Sequence, residues 1–194
     1  GALNDNYGYV AGPMAFDIAA IQDLYGARPA NTGNTGYELP SANQAGTFYS
    51  SIWDTGGKDT IFYNGNLDAE IDLFAATLES APSGGGLLSR VDGIFGGFTI
   101  ANGVVIENAT GGSGNDSLFG NQTKNFLRGN DGDDYLFGRN GADRLFGGDG
   151  DDVLRGGYGR DWFIFGPGEG YDVVKDFQDG KDVIQLKQFN FASK

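Results

Sequence analysis

Between residues 111 and 164 the chain repeats one nine-residue hydrophobic and polar pattern six times without a gap. Each repeat begins with glycine, carries an acid or its amide at the sixth position and has a large apolar residue at the eighth. The glycines are Gly111, Gly120, Gly129, Gly138, Gly147 and Gly156. The sixth positions are Asp116, Asn125, Asp134, Asp143, Asp152 and Asp161, and the eighth are Leu118, Leu127, Leu136, Leu145, Leu154 and Phe163. An apolar residue between two outward-facing neighbours predicts a short strand, and the glycines permit the turn that follows.

Two such repeats predict one coil of a parallel β-roll: strand, turn, strand, turn. Equivalent turns then stack one strand spacing apart, at about 4.8 Å. Backbone carbonyls and aspartate carboxylates of stacked turns face one another, and an all-oxygen cage of this kind suits Ca²⁺ better than Zn²⁺. A disordered Gly/Asp-rich linker fits the composition too, but disorder would not keep an apolar residue in phase through six repeats.

The N-terminal segment, residues 1–30, contains one predicted helix. Residues 13–25 carry apolar side chains at helical spacing, with Pro13 at the start and Gly26 just past the end. Both are the usual punctuation of a helix, so the pattern predicts an amphipathic helix over 13–25.

A second predicted unit covers residues 31–110, where short alternating or aromatic-rich runs are separated by turn signals. The runs include 47–53, 60–63, 69–74 and 103–107, with turns at 54–57 and 83–86. This pattern predicts a small antiparallel β-sandwich. The expected fold is therefore all-β, with the parallel roll of 111–164 stacked on the sandwich and one N-terminal helix.

Residues 165–194 are predicted to close the roll. The runs 171–177 and 181–186 flank Gln178, Asp179 and Gly180, which predicts a hairpin that caps the open end of the repeat array.

The charge of the chain limits the partners that we expect for it. The 194 residues have a net charge of −13, and 21 of the 26 acids are aspartate, the shorter acid that serves turns and calcium loops. The sequence contains no basic stripe, so we expect no nucleic-acid partner. No apolar run approaches the roughly 20 residues of a membrane span, so we expect no membrane insertion.

Cysteine and histidine are both absent. Disulfides, Ser-His-Asp and Cys-His catalytic groups and histidine-bound zinc are therefore excluded within these residues. The N-terminus also lacks the basic and apolar regions of a signal peptide, which predicts either another export signal or a piece of a longer chain.

Four linked motifs carry a family resemblance. They are 14–26 (MAFDIAAIQDLYG), 51–60 (SIWDTGGKDT), 103–109 (GVVIENA) and the repeat start 111–116 (GGSGND). In this order they resemble the serralysin family of secreted zinc metalloproteases, whose calcium-binding repeats are of the RTX type. The match begins after the family's zinc motif, so the helix at 13–25 resembles the last helix of the protease domain and the rest its calcium-binding C-terminal domain.

The resemblance implies a function. A module of this kind binds several Ca²⁺ ions, folds on calcium outside the cell and supports type I secretion and stability of a parent zinc metalloendopeptidase, without catalysis of its own. Its partners would be the protease domain of the parent chain and the type I secretion machinery. The chain ends at Ala192-Ser-Lys194, without the acidic and apolar tail of family secretion signals, which predicts truncation at this end.

The resemblance also implies calcium ligands by position. Before the roll they are Asn31, Gly33, Thr35, Asp54, Gly56, Gly57, Asp59, Val105 and Glu107; Asn31 and Val105 stand where the family usually has Arg and Thr, which backbone carbonyl ligands would tolerate. Within the roll, the second, fourth and sixth positions of one turn join the first, third and sixth of the turn one coil later. This gives Gly112, Gly114, Asp116, Gly129, Asp131 and Asp134 as set 1; Asn130, Gly132, Asp134, Gly147, Asp149 and Asp152 as set 2; and Arg139, Gly141, Asp143, Gly156, Tyr158 and Asp161 as set 3. A neutral set, Asn121, Thr123, Asn125, Gly138, Asn140 and Asp143, keeps only one carboxylate.

Other interpretations of the same residues stay open. The 54–59 turn could be an ordinary Asp/Gly turn. Trp53 and Trp162 could form a sugar-binding platform, as in an adhesion or carbohydrate-binding RTX module, although aromatic residues at strand positions predict core packing. A glycosidase carboxylate pair is disfavoured because the repeat already accounts for most acids.

Overall fold

We describe a computed structural model that covers residues 9–10, 30–44, 47–77 and 86–187. These residues form sixteen strands in two sheets and contain no helix. The helix predicted at 13–25 lies outside the described residues. The strands are β1 (Tyr9–Val10), β2 (Gly36–Glu38), β3 (Phe48–Ile52), β4 (Thr60–Phe62), β5 (Ala69–Asp72), β6 (Ser89–Val91), β7 (Gly97–Ile100), β8 (Asn108–Thr110), β9 (Ser117–Phe119), β10 (Phe126–Asp131), β11 (Tyr135–Phe137), β12 (Arg144–Asp149), β13 (Val153–Arg155), β14 (Trp162–Phe165), β15 (Val173–Val174) and β16 (Val183–Leu186).

Apart from β5, β6 and β7, which all lie in the nine-stranded sheet, successive strands alternate between the two sheets, so the chain winds as a parallel β-solenoid of about seven coils. The seven-stranded sheet has the order β2-β4-β8-β10-β12-β14-β16, and the nine-stranded sheet the order β1-β3-β7-β6-β5-β9-β11-β13-β15. In the repeats, each strand pairs in parallel with the strand 18 residues later, as Phe126 with Arg144 and Tyr135 with Val153. The predicted two-repeat coil is confirmed.

The core is a double column of inward side chains, one from each sheet. All six eighth-position residues of the repeats are 0% exposed, and the columns continue upstream through Ile61, Ile71 and Ala109. The apolar period of nine is therefore the packing period of the solenoid interior.

The predicted separate β-sandwich is wrong. Strands β2, β4 and β8 pair in parallel with one another and join the same seven-stranded sheet as the repeats, while β5 pairs in parallel with β9. Among the described strands, antiparallel pairing is confined to β5-β6 and β6-β7, which widen the nine-stranded sheet between β5 and β3. Strands β2 to β8 thus extend the solenoid, and the apolar core is continuous from them into the repeats.

The predicted capping hairpin is also wrong. Strand β15 pairs in parallel with β13, and β16 pairs in parallel with β14, so the two strands lie in different sheets. They form a further coil instead. Each of them is the last strand of its sheet, and the side chain of Ile184, at an inward position of β16, is 52% exposed.

One ion pair joins distant coils. Both guanidinium NH₂ groups of Arg139 donate to the Asp72 carboxylate at 2.7 and 2.6 Å, and Arg139 also donates to the Gly120 carbonyl at 2.6 Å. The guanidinium lies over the rings of Phe74 and Phe119. Within residues 9–10, 30–44, 47–77 and 86–187, no helix has the length and apolar character needed to cross a membrane.

Candidate metal centre

The turns of the repeats stack along two edges of the solenoid. The first turn edge leads from the seven-stranded to the nine-stranded sheet and contains turns 111–116, 129–134 and 147–152; the second turn edge leads back and contains 120–125, 138–143 and 156–161. The sixth-position residues of each edge therefore lie one above another, one coil apart.

Each sixth-position side chain holds the turn one coil before it. Asp134 Oδ1 accepts a hydrogen bond from the Asp116 backbone N–H at 2.7 Å, and Asp152 Oδ1 accepts from Asp134 at 2.9 Å. On the second edge, Asp143 Oδ1 accepts from the Asn125 N–H at 2.8 Å and Asp161 Oδ1 from Asp143 at 3.0 Å. One carboxylate oxygen of each aspartate is thus used by the fold.

The other carboxylate oxygen is buried without a donor. Among the described residues, Oδ2 of Asp134, Asp143, Asp152 and Asp161 has no hydrogen-bond partner, and these residues are at most 2% exposed. A buried, unpaired carboxylate oxygen is costly, because it has lost water without gaining a protein donor. Four such atoms, on both turn edges, call for a positively charged partner.

The first-position glycine of a repeat makes room for this oxygen. A Cβ placed at Gly129 would lie 1.8 Å from Asp134 Oδ2, and one at Gly147 would lie 1.8 Å from Asp152 Oδ2. Neither glycine has the positive φ that would by itself require glycine. The repeat therefore begins with glycine because its own aspartate points back against that position.

Burial changes the acidity of these groups. It raises the pKa of Asp134 to about 8 and the pKa values of Asp143 and Asp152 to about 7, against the opposing effect of their backbone hydrogen bonds. It also raises the pKa values of Asp116 and Asp161. Without a cation, the folded turns therefore hold protons more tightly than free aspartates do.

Backbone groups of stacked turns also come together. In set 2, the Gly132 N–H donates to the Asp149 carbonyl at 2.8 Å; in set 3, Gly141 donates to the Tyr158 carbonyl at 2.8 Å. The Tyr158 N–H in turn donates to the Arg139 carbonyl at 2.7 Å. The structure thus brings the two turns of sets 2 and 3 into direct contact.

The two turns of set 1 contact each other less closely than those of sets 2 and 3, and the Asp131 side chain is not buried with the other two acids. The Asp131 N–H reaches the Gly112 carbonyl only at 3.4 Å, and both Asp116 oxygens accept backbone hydrogen bonds, from Ala69 and Gly112. The Asp131 side chain is exposed, as is that of Asp149. Of the three carboxylates in set 1, those of Asp116 and Asp134 are buried and that of Asp131 is exposed.

Carboxylates alone do not surround any point of the described chain. No three acidic side chains in residues 30–44, 47–77 and 86–187 lie together in a group that could hold a metal. A cation between stacked turns would thus depend on backbone carbonyl oxygens as well.

The neutral set is already satisfied by hydrogen bonds. Asn125 Oδ1 accepts from the Asn121 N–H at 2.8 Å, and its amide donates to the Glu107 carbonyl at 3.1 Å. The Asn121 amide donates to the Ile106 carbonyl at 2.8 Å and to the Leu73 carbonyl at 3.3 Å. This turn therefore replaces a charged oxygen by amide groups that bridge to the preceding coil.

The upstream loops continue the second turn edge. The Thr35 N–H donates to Asp59 Oδ1 at 2.8 Å, and the Asp59 N–H donates to Glu107 Oε2 at 2.8 Å. Asp54 instead accepts from the Tyr37 hydroxyl at 2.7 Å, and burial together with this bond raises the pKa of Tyr37 to about 12.

The remaining predicted positions of these loops lie nearby. A Cβ at Gly57 would lie 2.4 Å from the Gly33 carbonyl oxygen, and one at Gly56 would lie 3.8 Å from that of Thr32. Asn31 has φ of 46°, and the side chain of Val105 is 43% exposed. Loops 30–35 and 54–59 thus lie against each other.

Three further aspartates, which the sequence did not single out, continue the hydrogen bonds between coils on both turn edges. Asp172 Oδ1 accepts from the Asp152 N–H at 3.1 Å, and Asp182 Oδ1 accepts from the Asp161 N–H at 3.1 Å. Asp176 accepts from Gly156 and Gly157. An aspartate before a pair of β-branched residues, at 172–174 and 182–184, was the available signal, but its spacing of 20 or 21 residues departs from the period of 18.

Comparison with known proteins finds one matching family and several relatives from that family. The sequence matches the family described as peptidase M10 serralysin C terminal over residues 16–194. Serralysin G of Dickeya chrysanthemi is 45% identical over 198 residues, which covers 96% of this chain and 38% of that protein. Metallopeptidase AprA of Pseudomonas marginalis is 40% identical over 131 residues (62% of this chain, 25% of the relative), and serralysin A of Dickeya chrysanthemi is 43% identical over 122 residues (57% and 24%). The chain thus matches about a quarter to two-fifths of the length of these relatives.

Proposed function

The chain belongs to the serralysin C-terminal family, and we propose that it is a calcium-binding solenoid that folds when calcium fills the spaces between its stacked turns. The parent protein would be a secreted zinc metalloendopeptidase, with this domain supporting its type I secretion and stability. The chain itself contains no histidine, so it lacks the residue that would bind zinc or act as a base in such an enzyme.

The observation that carries this proposal is the row of buried, donor-free Oδ2 atoms on Asp134, Asp143, Asp152 and Asp161. Together with nearby carbonyl oxygens they form a donor set made only of oxygen, the type that Ca²⁺ prefers. Sets 1, 2 and 3 would supply the ligands in the roll, and the 31–35, 54–59 and 105–107 loops those upstream. Asp172 and Asp182 extend the same hydrogen-bond ladders by one coil.

The same residues explain why folding would wait for calcium. Empty turns place carboxylates near one another in a buried setting, which opposes their ionisation, and the glycine-rich turns lose much conformational freedom on folding. A cation that binds only the folded state shifts this balance. In a low-calcium cytosol the chain would stay unfolded for the secretion channel, and outside the cell it would fold.

Circular dichroism during a calcium titration tests the proposal. We expect excess chelator to abolish the β signal, Ca²⁺ to restore it and Mg²⁺, which needs a tighter octahedral site, to restore it poorly. Sodium chloride at matched ionic strength controls for screening of charge repulsion. An unchanged β spectrum in chelator, with elemental analysis showing metal-free protein, would contradict the proposal.

A further inference from the structure

The outer face of the seven-stranded sheet carries two rows of side chains that run along the solenoid, one residue per coil. One row contains Asn108, Phe126, Arg144, Trp162 and Val183; the other contains Thr110, Arg128, Phe146, Ile164 and Gln185. Neighbours in a row are one strand spacing apart, about 4.8 Å. From β8 to β16 neither row contains an acid, although the chain has 26; the second row continues upstream through Phe62 to the exposed Glu38.

Cations and aromatic rings alternate on this face. The Arg144 guanidinium lies 5.6 Å from the centre of the Trp162 ring, and Arg128 lies 5.2 Å from that of Phe146. The Lys187 ammonium also lies over Phe146. Arg128, Arg144 and Lys187 are exposed, so their donors face solvent, whereas Phe146 and Ile164 on the same face are only 6% and 3% exposed. Trp162 lies on this face and not in the core, which corrects the core packing predicted for it; Trp53 packs against the core.

Further cations border this face on the second turn edge. Lys58, Lys124, Arg160 and Lys181 precede the sixth-position residues of their turns and are exposed, whereas the first turn edge has Asp68, Asn115, Asp133 and Asp151 at the same positions. A cavity of about 490 Å³, lined by Lys58, Lys124, Phe126 and Arg144 and on one side by Glu107, lies where the edge meets the sheet.

None of these seven cations forms an ion pair within the described part of the chain. The three ion pairs found there use Arg90, Arg139 and Arg155, all on the side of the nine-stranded sheet. The sequence shows no basic stripe because the cations lie far apart along the chain; only coil stacking brings them onto one surface. A group of exposed cations without an ion pair in so acidic a protein points to an external anion.

We propose that this face and its basic edge bind an acidic polysaccharide. Such a polymer presents anionic groups on successive units and needs no uncovered aromatic ring, which matches a surface where guanidinium and ammonium groups lie over the rings. A guanidinium held flat on a ring offers its in-plane donors to a carboxylate or sulfate. Nucleic acid fits less well, because cations already cover the Trp162 and Phe146 rings on which bases would stack.

The inference rests on the proposed function in one respect. With empty turns the chain carries a net charge of −13, which repels any polyanion. Each bound Ca²⁺ would add two positive charges near the turn edges and leave the basic face in place. Binding of the polysaccharide is therefore expected to require calcium even after the chain is held folded by other means.

The test measures binding of fluorescent dextran sulfate to the calcium-loaded chain, with neutral dextran as the probe that differs only in charge. The double variant Arg128→Gln/Arg144→Gln removes two cations from the face; Arg90→Gln/Lys175→Gln removes two from the side of the nine-stranded sheet. Since the first variant removes two exposed charge contacts, we expect it to bind dextran sulfate about tenfold more weakly. The control should stay within about twofold on the same scale, and circular dichroism should show equal folding of both.

Three results would overturn the inference: no binding by the folded, calcium-loaded chain, equal loss in the two double variants, or equal or tighter binding of polyglutamate or oligothymidylate at matched charge. The calcium proposal fails separately. A chain that folds and binds dextran sulfate equally well in chelator would refute calcium dependence and leave the surface standing, whereas a chain that folds only with calcium but does not bind would do the reverse.

Discussion

In four of the six repeats, the sixth-position carboxylate uses its two oxygen atoms differently. In Asp134, Oδ1 holds the Asp116 backbone of the preceding coil, while Oδ2 stays buried without a donor. The sequence could predict that these acids are ligand candidates, because their period matches the turns. It could not predict that half of each carboxylate is already committed to the backbone, because that bond crosses 18 residues and depends on the coil register.

Substitution of Asp134 tests the role of Oδ2 against an adjacent acid. Asp134→Asn keeps an oxygen acceptor but removes the charge shared by sets 1 and 2, so we expect the calcium concentration at the folding midpoint to rise about tenfold. Asp133→Asn changes an exposed neighbour whose Oδ1 accepts from the Asp151 N–H, and should shift the midpoint by less than about twofold. Equal shifts of the two midpoints, measured by circular dichroism, would show that the buried charge of Asp134 does not determine calcium affinity.

The pH dependence of the calcium-free chain follows from the same aspartates. Burial raises the pKa of Asp134 to about 8 and the pKa values of Asp143 and Asp152 to about 7 in the folded chain. In an unfolded chain, aspartate has a pKa of about 3.9. The folded state therefore binds more protons, and its free energy of unfolding falls as the pH rises from about 4 to about 8.

In chelator, we accordingly expect more β structure at about pH 5 than at about pH 8. With calcium present the order reverses, because protons compete for the carboxylates and weaken calcium binding at low pH. Circular dichroism at both pH values, with and without chelator, checks both signs. Greater stability of the metal-free chain at the higher pH would show that these groups are not buried as described.

Among the strands, those of the regular repeats could be predicted from the sequence, whereas the pairing of the strands before and after the repeats could not. The repeats fixed an inward column, and Leu127, Leu145 and their equivalents are fully buried as expected. The sandwich was wrong because short alternating runs indicate strands but not their direction: β4 pairs in parallel with β8, which starts 48 residues later. The hairpin was wrong because its Asp-Gly turn joins strands of opposite sheets.

The neutral turn tests whether charge sets calcium affinity coil by coil. Asn125→Asp replaces an amide that donates to the Glu107 carbonyl, so it should destabilise the calcium-free chain through repulsion between oxygens. It should also raise calcium affinity at this turn, because a cage with two carboxylates binds a cation more strongly. Asn115→Asp, an exposed asparagine in the neighbouring turn, is the matched control. Calorimetry that shows no added or tighter site for Asn125→Asp would contradict the charge argument.

The Arg139–Asp72 pair tests how the coils before the repeats are fastened to the roll. The two side chains are 23% and 6% exposed, whereas Arg90 and Glu70 are 49% and 44% exposed. Removing one member of a buried pair strands the other charge, so Arg139→Met should lower the free energy of unfolding by about 3 kcal/mol. Arg90→Met should cost about 0.5 kcal/mol. Urea unfolding of calcium-loaded protein compares them, and equal losses would mean that the buried pair does not fasten the coils.

Across the whole molecule, charge is sorted by surface. Among the described residues, buried aspartates line both turn edges and exposed acids border the first edge. Cations without ion pairs lie on the outer face of the seven-stranded sheet and along the second turn edge. The sequence gives only the sum, −13, because residues of either sign alternate along the chain. Winding separates them, which allows one solenoid to bind a cation at its edges and an anion on its face.

Anomalous diffraction at a long wavelength from calcium-grown crystals tests the central claim most directly. We predict peaks between stacked turns on both edges, about 2.4 Å from Oδ2 of Asp134, Asp143, Asp152 and Asp161, with the weakest occupancy in the Asn121–Asn125 turn. Peaks at the exposed carboxylates of Asp133 and Asp151, or none along the turn edges of a folded chain, would contradict it.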